Sequence, residues 1–172
     1  MISEVQIIEM FNNTEGGLTV LQEANYNHSV SWKKNSKRLF DELSNSLEDF
    51  RDAVAWCGTN GNVSRTIETH AFNGYCEWLF KILSAIKDGS FELKNTPAFG
   101  GKVPLSWVSK ICHIINPNRY PVIYDSFTRK AFHVSALHSF QKVLDVLRNC
   151  ANNLEEEQIY HKDSFIWAKN KN

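Results

Sequence analysis

The spacing of apolar residues constrains this chain more than any other feature. Phe40, Leu43, Leu47, Phe50, Val54 and Cys57 recur in steps of three and four, the period that returns a helix to one face. They predict one amphipathic helix over roughly 36–57. Ile67, Ala71, Tyr75, Trp78, Leu79, Ile82 and Ile86 predict a second, closed by Asp88-Gly89, where glycine can end a helix. Leu137, Phe140, Val143, Leu144, Leu147 and Ala151 predict a third, and shorter helical patterns cover Val5–Phe11 and Ile159–Trp167. GTNGN, residues 58–62, reads as a loop. No strict alternation runs long enough to define a strand. The expected fold is all-α, a two-lobed helical bundle forming a single domain over 1–172. One lobe takes about 1–92 with the tail helices, and the other segment takes about 93–133.

With 172 residues, 42% of them hydrophobic, the chain can bury a core of useful size. No apolar run approaches the length of a membrane span, and the opening MISEVQIIEMF carries acids where a signal peptide would be apolar. Cys57, Cys76, Cys112 and Cys150 are widely spaced, three of them at apolar-periodic positions. They read as reduced core residues, and the expected location is cytoplasmic. Their spacing suits neither zinc nor an iron–sulfur cluster. His70, His113, His133, His138 and His161 likewise lack metal-ligand spacing, and no phosphate-binding loop, dinucleotide fingerprint or nucleophile elbow is present. Neither metal nor cofactor is expected.

Formal charge cancels over the chain, with 19 basic and 19 acidic residues, but not along it. Residues 93–133 hold six bases (Lys94, Lys102, Lys110, Arg119, Arg129, Lys130) against Asp125 alone, 6 − 1 = +5, whereas residues 1–57 hold five against nine. Such asymmetry points to a surface that meets a polyanion. The same lysines are also compatible with an ordinary solvated face.

Within that basic segment, Pro104 suits the first turn of a helix whose buried stripe is Leu105, Val108, Ile111, Cys112 and Ile115. Ser106, Lys110 and His113 share a different, polar face. Pro117 ends the helix, NPNRYP makes a turn, and VIY re-enters the core. Asp125 then opens SFTRKAF, a new helix with Phe127, Ala131 and Phe132 inward, and is a natural N-cap. Upstream, LKNTPAFGGKVPLSWVSK carries a hairpin with two adjacent glycines, able to offer backbone N–H groups and a lysine to phosphates.

Hairpin, helix, short turn and an aspartate opening the next helix resemble the helix–hairpin–helix superfamily of DNA glycosylases, the 8-oxoguanine and AlkA-like enzymes. The match covers roughly residues 94–133, and the tail HKDSFIW is similar to the closing helix of small bacterial relatives. The resemblance implies the fold of that superfamily, with Gly100 and Gly101 in a hairpin that grips DNA backbone and Asp125 as the catalytic aspartate. The usual Gly-x-Gly spacing is replaced by adjacent glycines. Trp107 stands where bifunctional members carry a Schiff-base lysine, with Lys102 and Lys110 on either side, so the implied activity is hydrolysis without a lyase step. Lys110 and Lys102 remain candidates for a catalytic or phosphate-contacting role.

A single carboxylate fits such chemistry. Cleaving the bond between base and deoxyribose passes through an oxocarbenium-like sugar, which one anion can stabilise while positioning water. An aspartate at a helix N-terminus can serve as cap and catalyst together. Gly100, Gly101, Lys102, Lys94, Arg129 and Lys130 would hold DNA without sequence preference. The extruded base needs an aromatic or apolar pocket, for which Trp107, Trp32, Tyr124 and His113 are the candidates. The expected partner is DNA, with no membrane, and the expected state is a monomer acting in DNA repair or in antiviral defence against hypermodified phage bases. The alternatives are a non-catalytic helical nucleic-acid-binding module and a protein-interaction domain.

Overall fold

The computed structural model describes residues 1–61, 67 and 69–171. Among them the chain is all-helical, with eight α-helices, one 3-10 turn and no strand longer than an isolated bridge. The helices are α1 (Glu4–Asn12), α2 (Val20–Glu42), α3 (Leu47–Asn60), α4 (Thr69–Asp88), α5 (Leu105–Ile115), α6 (Ser126–Ala131), α7 (Leu137–Ala151) and α8 (Glu156–Asn170). The chain divides into two compact units, Met1–Ser31 with Pro117–Asn172, and Trp32–Asn116. The expected segment over 93–133 is thus divided between units at Pro117.

In the first unit, α1 packs on α7 and α8, and α6 packs on α8. Ser3 starts α1 with a reciprocal capping box: its hydroxyl accepts from the Gln6 N–H at 3.2 Å, and the Gln6 side chain accepts from the Ser3 N–H at 2.8 Å. Each hydrogen bond satisfies a backbone group that a helix end would leave bare. The NPNRYP turn is pinned by Asn118, whose amide donates to the carbonyls of Ala151 at 2.7 Å and Leu154 at 3.0 Å. Tyr120, Val122 and Ile123 follow into the core.

In the second unit, α3 packs on α4, and α4 packs on α5. The single helix expected over 36–57 is two. Leu43–Ser46 interrupts it, because the Ser44 hydroxyl donates to the Phe40 carbonyl and Ser46 caps α3 by accepting from the Asp49 N–H at 3.2 Å. Serine competes well for backbone groups, and the apolar spacing of Leu43 and Leu47 carries across the break unbroken. Helix α2 begins at Val20, far upstream of the expected start, through a polar run that periodicity alone does not mark.

The loop expected at GTNGN is also helix as far as Asn60, while Asn62 lies outside the described residues. Here the glycines serve close packing. A Cβ on Gly58 would lie 2.8 Å from Cζ2 of Trp107, and one on Gly61 would lie 2.6 Å from Cζ2 of Trp32. The end of α3 is therefore glycine-bearing so that two indoles can rest on it. Helix α4 closes as expected at Gly89, which takes a left-handed φ of 77°.

Candidate functional site

The hairpin of the second unit is a two-residue turn. Phe99 N–H donates to the Lys102 carbonyl at 2.7 Å, and Lys102 N–H returns to the Phe99 carbonyl at 3.2 Å. Between them Gly100 and Gly101 have φ of 60° and 77°, the left-handed pair that such a tight turn demands. Nothing lies within 4 Å of a Cβ built on Gly101, so backbone conformation, not space, requires glycine there. Both glycines and Lys102 are exposed. The Phe99 ring anchors the turn, packing against Tyr75 at 5.4 Å and Trp78 at 5.6 Å between centroids.

Lys94 is exposed, but Glu92 answers its charge at 2.8 Å. The hydrogen bond and charge of that carboxylate hold the Lys94 ammonium above its usual pKa. Counting Glu92, the six bases from Lys94 to Lys130 face two acids.

Helix α5 is buried on nearly every side. Trp107, Val108, Ser109, Ile111, Cys112, His113, Ile114 and Ile115 are all buried, and Lys110 is half-buried. Of the polar face expected for Ser106, Lys110 and His113, Ser106 and Lys110 are half-buried, while His113 is fully buried. Trp107 is 2% exposed, with Tyr75 at 4.9 Å and Phe72 at 5.9 Å between centroids. Trp32 is 7% exposed and donates its indole N–H to the Cys57 carbonyl at 3.1 Å. Both indoles are core groups seated on glycines, and a ring so enclosed does not project as a wedge. The Tyr75 hydroxyl and the Trp107 Nε1 are buried without a hydrogen-bond partner among the described residues. Burial, first, and neighbouring thiols raise the Tyr75 pKa well above that of a free phenol.

Asp125 lies in the first unit and does what its position predicts. It takes extended backbone geometry at the start of α6, and its Oδ1 accepts from the Thr128 N–H at 2.8 Å. Its side chain is half-buried. The segment leading to it is held by a residue that sequence reasoning missed: buried Asp163 on α8 accepts from the Ile123 N–H through Oδ1 at 3.0 Å. The signal was an acid at helical spacing from the apolar Ile159 and Ile166. Lys33 on α2 is buried too, at 1% exposed. Tyr124 is half-buried, its ring meeting Phe140 edge-on at 5.0 Å and the Arg129 guanidinium at 4.9 Å. Arg129 also donates through Nη1 to the Ser135 carbonyl at 3.2 Å, while Lys130 is exposed.

All four cysteines are free thiols, and Cys57, Cys76 and Cys112 are buried. Burial pushes Cys57 and Cys76 up to about 12 and Cys112 higher still. Among the described residues no group of three or more His, Cys, Asp or Glu side chains is placed to hold a metal ion. No described helix is long and apolar enough to cross a membrane. Comparison with known proteins returns no match: no family model, curated protein or solved structure is significantly similar to the chain.

Proposed function

We propose that the chain is a DNA glycosylase of the helix–hairpin–helix type that hydrolyses the bond between a damaged or modified base and its deoxyribose. The observation that supports this reading best is the order of parts: a glycine turn, helix α5, a pinned turn, then Asp125 capping α6. In this reading Asp125 stabilises the developing cation on the sugar and positions water. The Thr128 N–H, bound to Oδ1, fixes the carboxylate for that task. Exposed Gly100, Gly101 and Lys102 contact phosphate, and hydrolysis proceeds without Schiff-base chemistry because Trp107 occupies the corresponding place. The substrate class is an oxidised, alkylated or hypermodified base in repair or phage defence. A mass-spectrometric screen for free bases released from varied genomic and phage DNAs identifies it.

The test of mechanism is Asp125→Asn. Asparagine can still cap α6, so stability should change by no more than about 1 kcal/mol. Loss of the charge should slow base release by roughly a hundredfold or more while DNA binding holds. Near-normal base release in this variant refutes the assignment.

The hydrogen bond from Thr128 to Asp125 also favours a second reading, in which Asp125 is only a cap and the hairpin belongs to a non-catalytic nucleic-acid-binding module. Salt-dependent DNA binding with no base released from any DNA, and an Asp125→Ala variant that only loses stability, would establish it.

A further inference from the structure

We propose that a cleft in the first unit binds the phosphate of a free 5′-mononucleotide, an inference that goes beyond the glycosylase reading and does not depend on it. The cleft has a volume of about 1060 Å³ and lies among α1, α8 and the end of α6. That is room enough for a ligand of nucleotide size. Asp125 is not among its lining residues. Arg129, Lys130 and Lys169 line it against one acid, Glu9, and Val134 and Ile166 supply an apolar wall. Lys130 and Lys169 have no carboxylate partner among the described residues.

Arg129 is held in place by the Tyr124 ring and the Ser135 carbonyl, and its Nε is buried without a partner among the described residues. An excess of cations with one immobilised guanidinium suits a dianionic phosphomonoester, which takes short, charge-assisted hydrogen bonds.

Basic residues in the last turn of a helix also offset its dipole without any ligand. That accounts for Arg129 and Lys130 but not for His133. Helix α6 ends in a Schellman motif: Val134 N–H donates to the Arg129 carbonyl at 2.9 Å, and His133 N–H donates to the Lys130 carbonyl at 3.2 Å. The residue at the centre of that motif must be left-handed, and it is His133, with φ of 54°. Among the described residues no other non-glycine takes a positive φ, although glycine fills Gly16, Gly17, Gly89, Gly100 and Gly101. An L-residue in that conformation is strained, and such strain gathers at functional positions. What the strain obtains is an exposed imidazole on the wall of the cleft, offering an N–H in either protonation state.

The test titrates the full chain with AMP, GMP, CMP and TMP by calorimetry, with nucleosides, inorganic phosphate and a single-stranded oligonucleotide as separate arms. At least one mononucleotide should bind with Kd below about 1 mM, its nucleoside should not bind, and inorganic phosphate should bind more weakly. Lys130→Ala and Lys169→Ala should each weaken binding by roughly tenfold. His133→Gly should weaken binding by a similar factor while raising Tm by roughly 2–4 °C, because glycine relieves the backbone strain. His133→Asn, which tolerates the left-handed conformation, should lose affinity with little change in Tm.

No mononucleotide binding, or binding that His133→Gly and His133→Asn leave unchanged, overturns the proposal. So does binding of inorganic phosphate as tight as that of the nucleotides. Binding by the oligonucleotide alone overturns it in favour of a contact to polymer backbone.

Discussion

Gly58→Ala tests how the second unit is built, because two effects of opposite sign meet at one atom. Within a helix, alanine is favoured over glycine by about 1 kcal/mol, and Gly58 lies inside α3. The new Cβ would sit 2.8 Å from Cζ2 and 3.1 Å from Cη2 of Trp107. Ordinary carbon contacts lie at about 3.5–4.0 Å, so the indole or the helix must move by several tenths of an ångström. Trp107 has little room to retreat, being 2% exposed and backed by Tyr75 at 4.9 Å. Overpacking of this kind costs about 1–3 kcal/mol. The clash therefore outweighs the helix term, and the variant should be destabilised by roughly 1 kcal/mol. Trp107→Phe removes the two crowding atoms, and in that background Gly58→Ala should stabilise by about 1 kcal/mol. Urea unfolding followed by far-ultraviolet circular dichroism measures all four corners of the cycle, with a coupling of about 2 kcal/mol expected. An equal gain in stability from Gly58→Ala in both backgrounds refutes the account of why glycine ends α3.

The orphaned hydroxyl makes Tyr75→Phe unusual: it should raise stability by about 1 kcal/mol, where removing a bonded hydroxyl would lower it. A fall in the denaturation midpoint would show that the hydroxyl has a partner. Lys102→Ala should weaken binding to all DNA sequences alike and lower the slope of log affinity against log salt by roughly one unit. An unchanged slope removes the hairpin from any DNA interface. In the folded protein at pH 8, an aromatic disulfide reagent should modify Cys150, which is half-buried, ahead of the other three thiols. Cys57 and Cys76, pushed up to about 12, and Cys112 should react only after unfolding. Rapid reaction of all four native thiols would contradict the burial described.

Local pattern was enough for some elements and silent on others, for identifiable reasons. Helix α7, Leu137–Ala151, was legible because buried Phe140, Val143, Leu144, Leu147 and Ala151 recur at helical spacing on one face while the polar residues fall on the other. Asp125 as an N-cap was legible because an acid ahead of a new helix has a local partner, the Thr128 N–H three residues on. The glycine turn was legible because glycine, having no Cβ, adopts positive φ at little cost, so two adjacent glycines mark a tight turn locally.

Other features depend on atoms distant in the chain. Gly58 and Gly61 look like loop residues until Trp107 and Trp32 are placed on them. Trp107, His113 and Trp32 look available for a ligand until packing encloses them. Asp163 and Lys33 look like surface charges until the fold buries them. The cleft at Arg129, Lys130, His133 and Lys169 joins residues from α6 and the turn just after it to one at the end of α8. Propensity and periodicity act over a few residues and can be read from one segment at a time. Close packing and the burial of charge are relations between segments, and they exist only once the chain has folded.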